Sequence, residues 1–487
     1  MSVVLASILP FAPLVAQGVS SPSAQQALDL AIERMGGGDA LRRIERARFE
    51  TVTLWHRQSF EDRPFGDVVG SYERTSDLRD YTIPAWRNAR RPISASAASM
   101  EIIDLVRDTV AARFAPQRPA SPSTWGPLNV AYLDERHELF AFAPERVLLA
   151  ARAATDLASL SDTLIDGIGH RRVRATVDRI AATIFLNRST GFLSFVRYWA
   201  AQPNDFGLAP FGEMEVDLWY GAWRLTPLPG TAGITYPGQW DITRIGRPYK
   251  RITLLSARFD PVAPADSFAI SDADRRNFLE TATKPMWDLP LDSARIIDGR
   301  FAVFGTAGAT ASAVKIGKRW VQLEGSLVPA RVDTDLQWLR ARDPDAAFGA
   351  LVVTTPGAVR GGVTWFVKHR VAVYVGSGAR RGTEVVLRNW NASPAAVNVV
   401  DRGRWLSFDG DSLWIEPIDY PGSPRGLVVW VPSLRWVYQP MAIAPLQLGL
   451  LMEHVRKRGW PVERIGTARS LVGPAPAPTA PAPTEKR

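Results

Sequence analysis

Five histidines (His56, His137, His170, His369 and His454) and no cysteine make up the whole stock of soft metal ligands in this chain of 487 residues. Without a thiol there is no disulfide, no thiolate metal site and no cysteine nucleophile. His369 in VKHR and His454 in MEHVRKR stand singly among apolar or basic neighbours and read as surface or packing residues. Glu453-His454 lacks the second histidine, four residues on, that completes an HExxH zinc helix. A Gly-x-Ser-x-Gly elbow is absent: Gly376-Ser377-Gly378 is too short and reads as a turn after a strand. No glycine-rich loop of the phosphate-cradling kinds occurs. Asp409 and Asp411, in SFDGDS, would share one face of an extended strand and could act as a general acid and base, but around a glycine they read as a hairpin turn.

The composition narrows the classes further. Hydrophobic residues make up 46% and charged residues 22% of the chain, ordinary globular values that exclude a disordered, collagenous or coiled-coil protein. The net charge is +9, but only seven of the 58 cations are lysine, and doublets such as Arg42-Arg43, Arg171-Arg172 and Arg380-Arg381 are scattered. Nucleic-acid binding needs cations clustered with aromatics on one element, so these read as solvated faces and no nucleic-acid partner is expected. Met1 to Gln17 is almost wholly apolar and precedes a Ser-rich stretch, resembling a secretory h-region with a cleavage zone near Ala16. A periplasmic or secreted protein is expected. That run is shorter than a bilayer span and no later one is longer, so no transmembrane segment is expected. From Gly473 the tail is Pro/Ala-rich and reads as extended and exposed.

The elements that must position any site fall into two rhythms. Ala24 to Met35 has helical periodicity, Gly36-Gly37-Gly38 stops it, and Asp39 can cap a second helix. Strands follow: FETVTLW, ATIFLN, FLSFVRYW, then EMEVDLWY, which alternates with Met214, Val216, Leu218 and Tyr220 on one face. Ile234 to Trp240 and Ile252 to Phe259 continue the series, giving an antiparallel sheet with one apolar wall for the N-terminal helices to cover. Met100 to Arg113 and Pro144 to Ala154 read as interrupting helices, and polar, Pro-bearing Ser271 to Pro290 as the junction. Beyond it come strands at 296–297, 301–305, 311–316 and 320–323, helix Val332 to Arg342, strand Leu351 to Thr354, helix Gly361 to His369 and strand Val371 to Val375, an α/β layer rhythm.

The first part, through MGGGDALRRI, LNRSTGFLSFV, ITYPGQWDI and FDPVAPADSFAI, resembles the N-terminal half of a group of exported bacterial metallo-hydrolase-like proteins. That half is similar to the curved, half-open β-barrel of periplasmic lipoprotein carriers. The resemblance implies a concave apolar face for a hydrophobic ligand, with Phe195, Trp219 and Trp240 as its pocket. The other reading of these aromatics is plain core. The second part carries a more specific resemblance: DGRFAVFG, SAVKIGKRWVQLEG, RVDTDLQWLRARDP, GALVVTTPGAVRGG, VAVYVGS and then LWIEPIDYPGSPRGLVVWVPSLRWVYQPM are similar to the metallo-β-lactamase fold, an αββα sandwich. The expected class is therefore α+β: residues 1–22 a signal segment, 23–270 a curved antiparallel sheet with helices, 271–291 a linker, 292–472 the sandwich and 473–487 a tail.

Active members of that fold follow a strand with His-x-His-x-Asp-His and then Gly-Gly. Counting back from Gly361-Gly362, the resemblance implies that Thr354, Pro356, Ala358 and Val359 stand at the ligand positions. The later ligands fall at Gly422 or Ser423, at Met441, and at Thr467 or Ala468. None of these side chains replaces an imidazole or a carboxylate, so no metal and no cofactor is expected. Pro356, Val359, Met441, Trp436 and Tyr438 would fill the old cleft. Glu324, ending a strand in VQLEGSLVPAR on the cleft side of this fold, is the candidate residual polar residue. Three functions remain open: a non-catalytic binding or scaffolding protein with an unidentified hydrophobic ligand or protein partner, a hydrolase with a rebuilt metal-independent site, and a hydrophobic-ligand carrier acting through the first part.

Overall fold

The computed structural model describes residues 23–56, 70–93, 101–115, 124–127, 131–202, 208–281, 291, 293–306, 309–356, 360–420, 423–440, 445–467 and 471–474. Helix α1 (Ala24–Met35) starts at a reciprocal cap: the Ser23 hydroxyl accepts from the Gln26 amide at 3.2 Å and the Gln26 side chain accepts from the Ser23 amide at 2.8 Å. It ends at Gly36, whose φ of +121° is glycine territory, and α2 (Gly38–Arg42) follows.

A single sheet of thirteen strands then occupies the chain to Phe259. Its strands are β1 (Arg46–Trp55), β2 (Ser71–Asp80), β3 (Ala85–Ile93), β4 (Ile102–Arg107), β5 (Val110–Ala115), β6 (Thr124–Pro127), β7 (Ala158–Ile165), β8 (Ile168–Val177), β9 (Ile180–Asn187), β10 (Leu193–Ala201), β11 (Glu213–Thr226), β12 (Ile234–Arg244) and β13 (Arg247–Phe259). Consecutive strands pair throughout except β6 and β7, which form the two edges, and the two runs are joined at one seam, where β1 pairs antiparallel with β13 from Ala47–Phe259 to Trp55–Lys250. The stretch 102–113, expected as a helix, is instead the β4–β5 hairpin, turning at Asp108 with φ +55°. Ile102, Ile103, Val106 and Val110 are β-branched and prefer the pleated surface.

Helices α1, α2, α3 (Ala131–Ala141) and α4 (Pro144–Ala153) lie on one face of this sheet. Leu28, Ala31, Met35, Val147, Leu148 and Ala151 pack there against Val216, Leu218, Ile234 and Ile252. Carboxylates on the helices reach sheet donors in the interior. Glu145 accepts from the Tyr236 hydroxyl at 2.8 Å and from Tyr81; Glu138 accepts from Tyr198 at 2.7 Å, from Arg244 at 3.0 Å and from Gln202; Glu135 pairs with Lys250 at 2.8 Å. Helix α5 (Asp272–Thr281) occupies much of the expected linker and buries Phe278 against Trp86, Val106 and Ala111.

The rest is a four-layer sandwich. One sheet runs in order β14 (Arg295–Ile297), β15 (Phe301–Thr306), β16 (Ala309–Ile316), β17 (Arg319–Leu323), β18 (Phe348–Val353), β19 (Ala372–Gly376) and β20 (Val397–Val400), parallel from β17 onward. The other runs β21 (Arg404–Phe408), β22 (Asp411–Tyr420), β23 (Ser423–Val431), β24 (Trp436–Tyr438), β25 (Arg464–Gly466) and β26 (Leu471–Pro474). Val314, Val321, Leu323, Ala350 and Val352 of the first meet Leu413, Ile415, Leu427, Val429 and Tyr438 of the second. Helices α6 (Pro329–Arg340), α7 (Val363–Lys368) and α8 (Arg380–Asn389) cover the outer face of the first sheet, and α9 (Pro445–Arg458) covers that of the second. The α+β class and the αββα layering match the sequence reading. Among the described residues no helix is long and apolar enough to cross a membrane.

Candidate functional site in the sandwich cleft

Strands β17 and β18 run parallel, so both deliver their C-terminal ends to the same rim of the sandwich, where Glu324 and Thr354 follow them. Glu324 is held at φ +67°, a left-handed backbone that costs a non-glycine residue about 1 kcal/mol. Its amide donates to the Val352 carbonyl at 2.9 Å. Its carboxyl accepts from the Thr354 hydroxyl and, at 3.3 Å, from the Thr354 amide. The Thr354 carbonyl in turn accepts from the Leu427 amide at 2.7 Å, tying the two sheets together at this rim. Thr354 therefore commits its amide, hydroxyl and carbonyl to protein partners, and it is fully buried, while Glu324 is 3% exposed. Burial pushes the Glu324 carboxyl up to about 7, against the opposing pull of the Thr354 hydrogen bonds and the Arg360 charge.

A second buried carboxyl lies two turns of chain away. Asp335 of α6 accepts from Ser326 at 2.5 Å, Gln322 donates to the same hydroxyl at 2.7 Å, and the Arg331 guanidinium is 3.9 Å off. Burial raises Asp335 to about 7 as well, with Ser326 and Arg331 opposing. The segment between the two carboxylates is fastened by the glycine pair: Gly361 donates to the Leu327 carbonyl and Gly362 to the Ser326 carbonyl, each at 3.0 Å. A β-carbon at Gly362 would lie 2.5 Å from the Ser326 carbonyl oxygen, so only glycine permits this approach. Tyr438, fully buried, is kept protonated by burial and by the Glu324 charge.

The positions read as former ligands divide in two. Thr354, Pro356 and Thr467 are described and all three are buried, Thr354 fully and Thr467 at 1% exposure. Ala358, Val359, Gly422, Met441 and Ala468 lie outside the described residues, and of Ser423 only the backbone, as the first residue of β23, is described. Among the described residues the donors at and beside these positions are the Thr354 and Thr467 hydroxyls and the Glu324 carboxyl, a set that does not fit a dication. Among the described residues no three His, Cys, Asp or Glu side chains come together in a way that could hold a metal ion. Trp436 and Tyr438 belong to the core between the sheets, Trp436 lying 4.8 Å from Phe301, ring to ring. Glu324 is singled out in the sequence; Asp335, Arg331 and Arg360, the other ionisable groups of this rim, are not. The only available signal for Asp335 was an acid on the apolar side of the α6 stripe.

The amino-terminal region reaches this rim. Leu208, Phe211 and Met214, just before and at the start of β11, join the core formed by Leu351, Val363 and Val386. The Trp390 indole donates to the Pro210 carbonyl at 3.0 Å, beside Gly361.

Phe195, Trp219 and Trp240 do not line one pocket. Trp219 pairs with Asp241 and Tyr220 with Trp240, so Trp219 and Trp240 point to opposite faces of the sheet. Phe195 stacks on Trp219 at 4.0 Å and on Phe185 at 3.9 Å on the face away from the helices. Trp240 packs against Phe49 at 5.6 Å on the helix side, where the cavity beside it measures about 20 Å³ and is lined by Thr51, Glu73, Asp77, Arg79 and Lys250. That volume admits one water and no acyl chain. Arg79 stays charged there: burial opposes its charge, and Asp77 at 2.9 Å outweighs burial.

No known family model and no curated protein matches the sequence. Among solved structures, the fold is similar to the stereoselective inverting sec-alkylsulfatase Pisa1 from Pseudomonas sp., at 12% identity and a TM-score of 0.31, covering 37% of this chain and 39% of that one. It is similar to the metallo-β-lactamase TMB-1, at 15% identity and a TM-score of 0.29, over 37% of this chain and 91% of that one. It is also similar to the DIM-1 metallo-β-lactamase, at 11% identity and a TM-score of 0.31, over 38% of this chain and 93% of that one. The chain thus spans about two-fifths of the alkylsulfatase and nearly all of the β-lactamases it resembles.

Proposed function

We propose that this protein is a non-catalytic, exported relative of the metallo-β-lactamase fold that binds or scaffolds a partner and uses no metal. One observation carries the reading: Thr354, at the place of the first expected ligand, gives its amide and hydroxyl to Glu324 and its carbonyl to Leu427. A metal ligand at this fold's site is an imidazole or carboxylate aimed at the ion, whereas this residue offers a neutral hydroxyl, fully buried and oriented by its donation to Glu324. The apolar run Met1 to Gln17 supports export.

A second reading, a hydrolase with a rebuilt metal-independent site, is favoured by the same pair, since a carboxyl titrating at about 7 and bonded to a hydroxyl is the arrangement of a base and its nucleophile. Their burial opposes it, because no substrate reaches a side chain with 3% exposure without the rim opening. One experiment separates the two. The purified full chain is loaded with zinc or iron, dialysed, assayed for metal by elemental analysis, and tested on a β-lactam, a thioester and an alkyl sulfate ester. Less than a tenth of an equivalent of metal and no turnover is the expected result. Stoichiometric metal with turnover overturns both readings, and metal-free turnover lost in Glu324→Gln establishes the second and overturns the first.

A further inference from the structure

A concavity in the amino-terminal region lies away from the cleft, over α3 and α4, with a volume of about 610 Å³. That is the size of a small-molecule pocket. Leu133, Phe140 and Ala150 contribute apolar floor, and Tyr81 closes one side. Three turns form the rim: Pro84 between β2 and β3, Asp108-Thr109 between β4 and β5, and Asp178-Arg179 between β8 and β9.

Three aspartates and three arginines line this groove, and the aspartates are each engaged, Asp134 included. Asp178 is engaged by His137, whose Nε2 is 2.9 Å from both its carbonyl and its carboxylate. Asp108 faces Arg107 at 3.8 Å. Arg136 is turned to the Pro84 carbonyl and lies over the Phe140 ring at 5.8 Å. Arg146 is exposed, fixed over the Tyr81 ring at 4.6 Å, and has no acidic partner among the described residues. Arg179 likewise is exposed with no acidic partner among them.

Arg179 is also costly where it stands. Asp178 and Arg179 have φ of +46° and +70°, the two-residue hairpin conformation that asparagine and glycine adopt with least strain. A bulky side chain at such a position costs of order 1 kcal/mol, and strain of this kind is a feature of sites where the side chain is used. Here the use available is to present a guanidinium to the groove.

We infer that this groove binds an amphiphile with a single anionic head and a hydrocarbon tail, the head held by Arg146 and Arg179 and the tail laid along Leu133, Phe140 and Ala150. The site is independent of the state of the sandwich cleft and of the metal question. It also differs from the interior face expected from sequence, because Trp240 and its 20 Å³ cavity take no part.

Isothermal titration calorimetry of the full chain at low ionic strength, with each probe below its micelle concentration, tests this. Dodecanoate and dodecyl phosphate should each bind one per chain, dodecyltrimethylammonium at least tenfold more weakly, and inorganic phosphate without detectable heat. The double variant Arg146→Ala/Arg179→Ala should weaken dodecanoate at least tenfold, and Ala150→Trp should abolish binding by filling the floor. Arg146 and Arg179 are exposed and Ala150 is half-buried at the edge of the core, so unchanged circular dichroism and melting temperature are required of each variant to certify the fold. Equal affinity for the cationic probe, or unchanged dodecanoate affinity in either folded variant, overturns the assignment. Should dodecanoate bind and dodecyl phosphate fail, the head is a carboxylate; the reverse makes it a phosphate monoester, and both results uphold the anionic site.

Discussion

Replacing Glu324 by glutamine is the sharpest test of the closed cleft. The carboxyl titrates at about 7 in the folded protein against an ordinary 4.5, because burial opposes its charge. Between those values the folded state keeps the proton and the unfolded chain has released it, so stability falls as the pH rises. The contribution of the protonated group is complete below pH 4.5, declines as the pH climbs through 7 and is flat above it. At about 1.4 kcal/mol for each pH unit, the loss amounts to roughly 3 kcal/mol. Glutamine resembles the protonated acid, still accepts from Thr354 and cannot ionise. Glu324→Gln should therefore match the parent at pH 4.5 and exceed it by about 2–3 kcal/mol at pH 8. Urea midpoints of the sandwich transition at the two pH values, with the slopes compared, measure the difference directly. Taking the difference between parent and variant removes Asp335, which titrates in the same direction. An equal destabilisation at both pH values would refute the reasoning, because it would mean that Glu324 is ionised and paired with Arg360.

Gly362→Ala places a β-carbon 2.5 Å from the Ser326 carbonyl and should cost about 2–3 kcal/mol, read as a lower urea midpoint. Glu145→Ala strips the acceptor from the buried Tyr81 and Tyr236 hydroxyls and should cost roughly 2–4 kcal/mol, read by thermal melting at neutral pH. Trp390→Phe deletes the bond to Pro210 and should cost about 1–2 kcal/mol while broadening one unfolding transition toward two, seen by calorimetry.

Local pattern was enough where burial is one-sided. The α1 limits follow from Ser23, the apolar stripe and Gly36, and the β11 alternation places Met214, Val216, Leu218 and Tyr220 inside. That same alternation already puts Trp219 outside, and overlooking it produced the pocket that does not form. The hairpin at 102–115 was ambiguous because MEIIDLVRDTVAAR satisfies a helical and a strand period alike, and the pairing of Arg107 with Val110 decides it. Strand β2, SYERTSDLRD, is polar along most of its length, yet Glu73, Asp77 and Arg79 are buried. Their partners Arg90 and Trp86 come from β3, and no local rule foretells that a charge will find its counterion inside. In the sandwich, Glu324 was legible from its strand end, whereas Arg360 and Asp335 reach the same rim only through the crossing of α6 and α7.

The seam between β1 and β13 sets a timetable for making this protein. Residues near 50 pair with residues near 255, so the first strand waits for the last of the thirteen while the chain emerges from the ribosome. Contacts of such separation fold slowly, and an unpaired strand edge invites association with other chains. β1 exposes one open edge until β13 arrives, its other edge being taken by β2, and its own Arg46, Arg48 and Glu50 discourage intermolecular pairing in that interval. The charges of β1 thus have a first moment of use, before the sheet is closed.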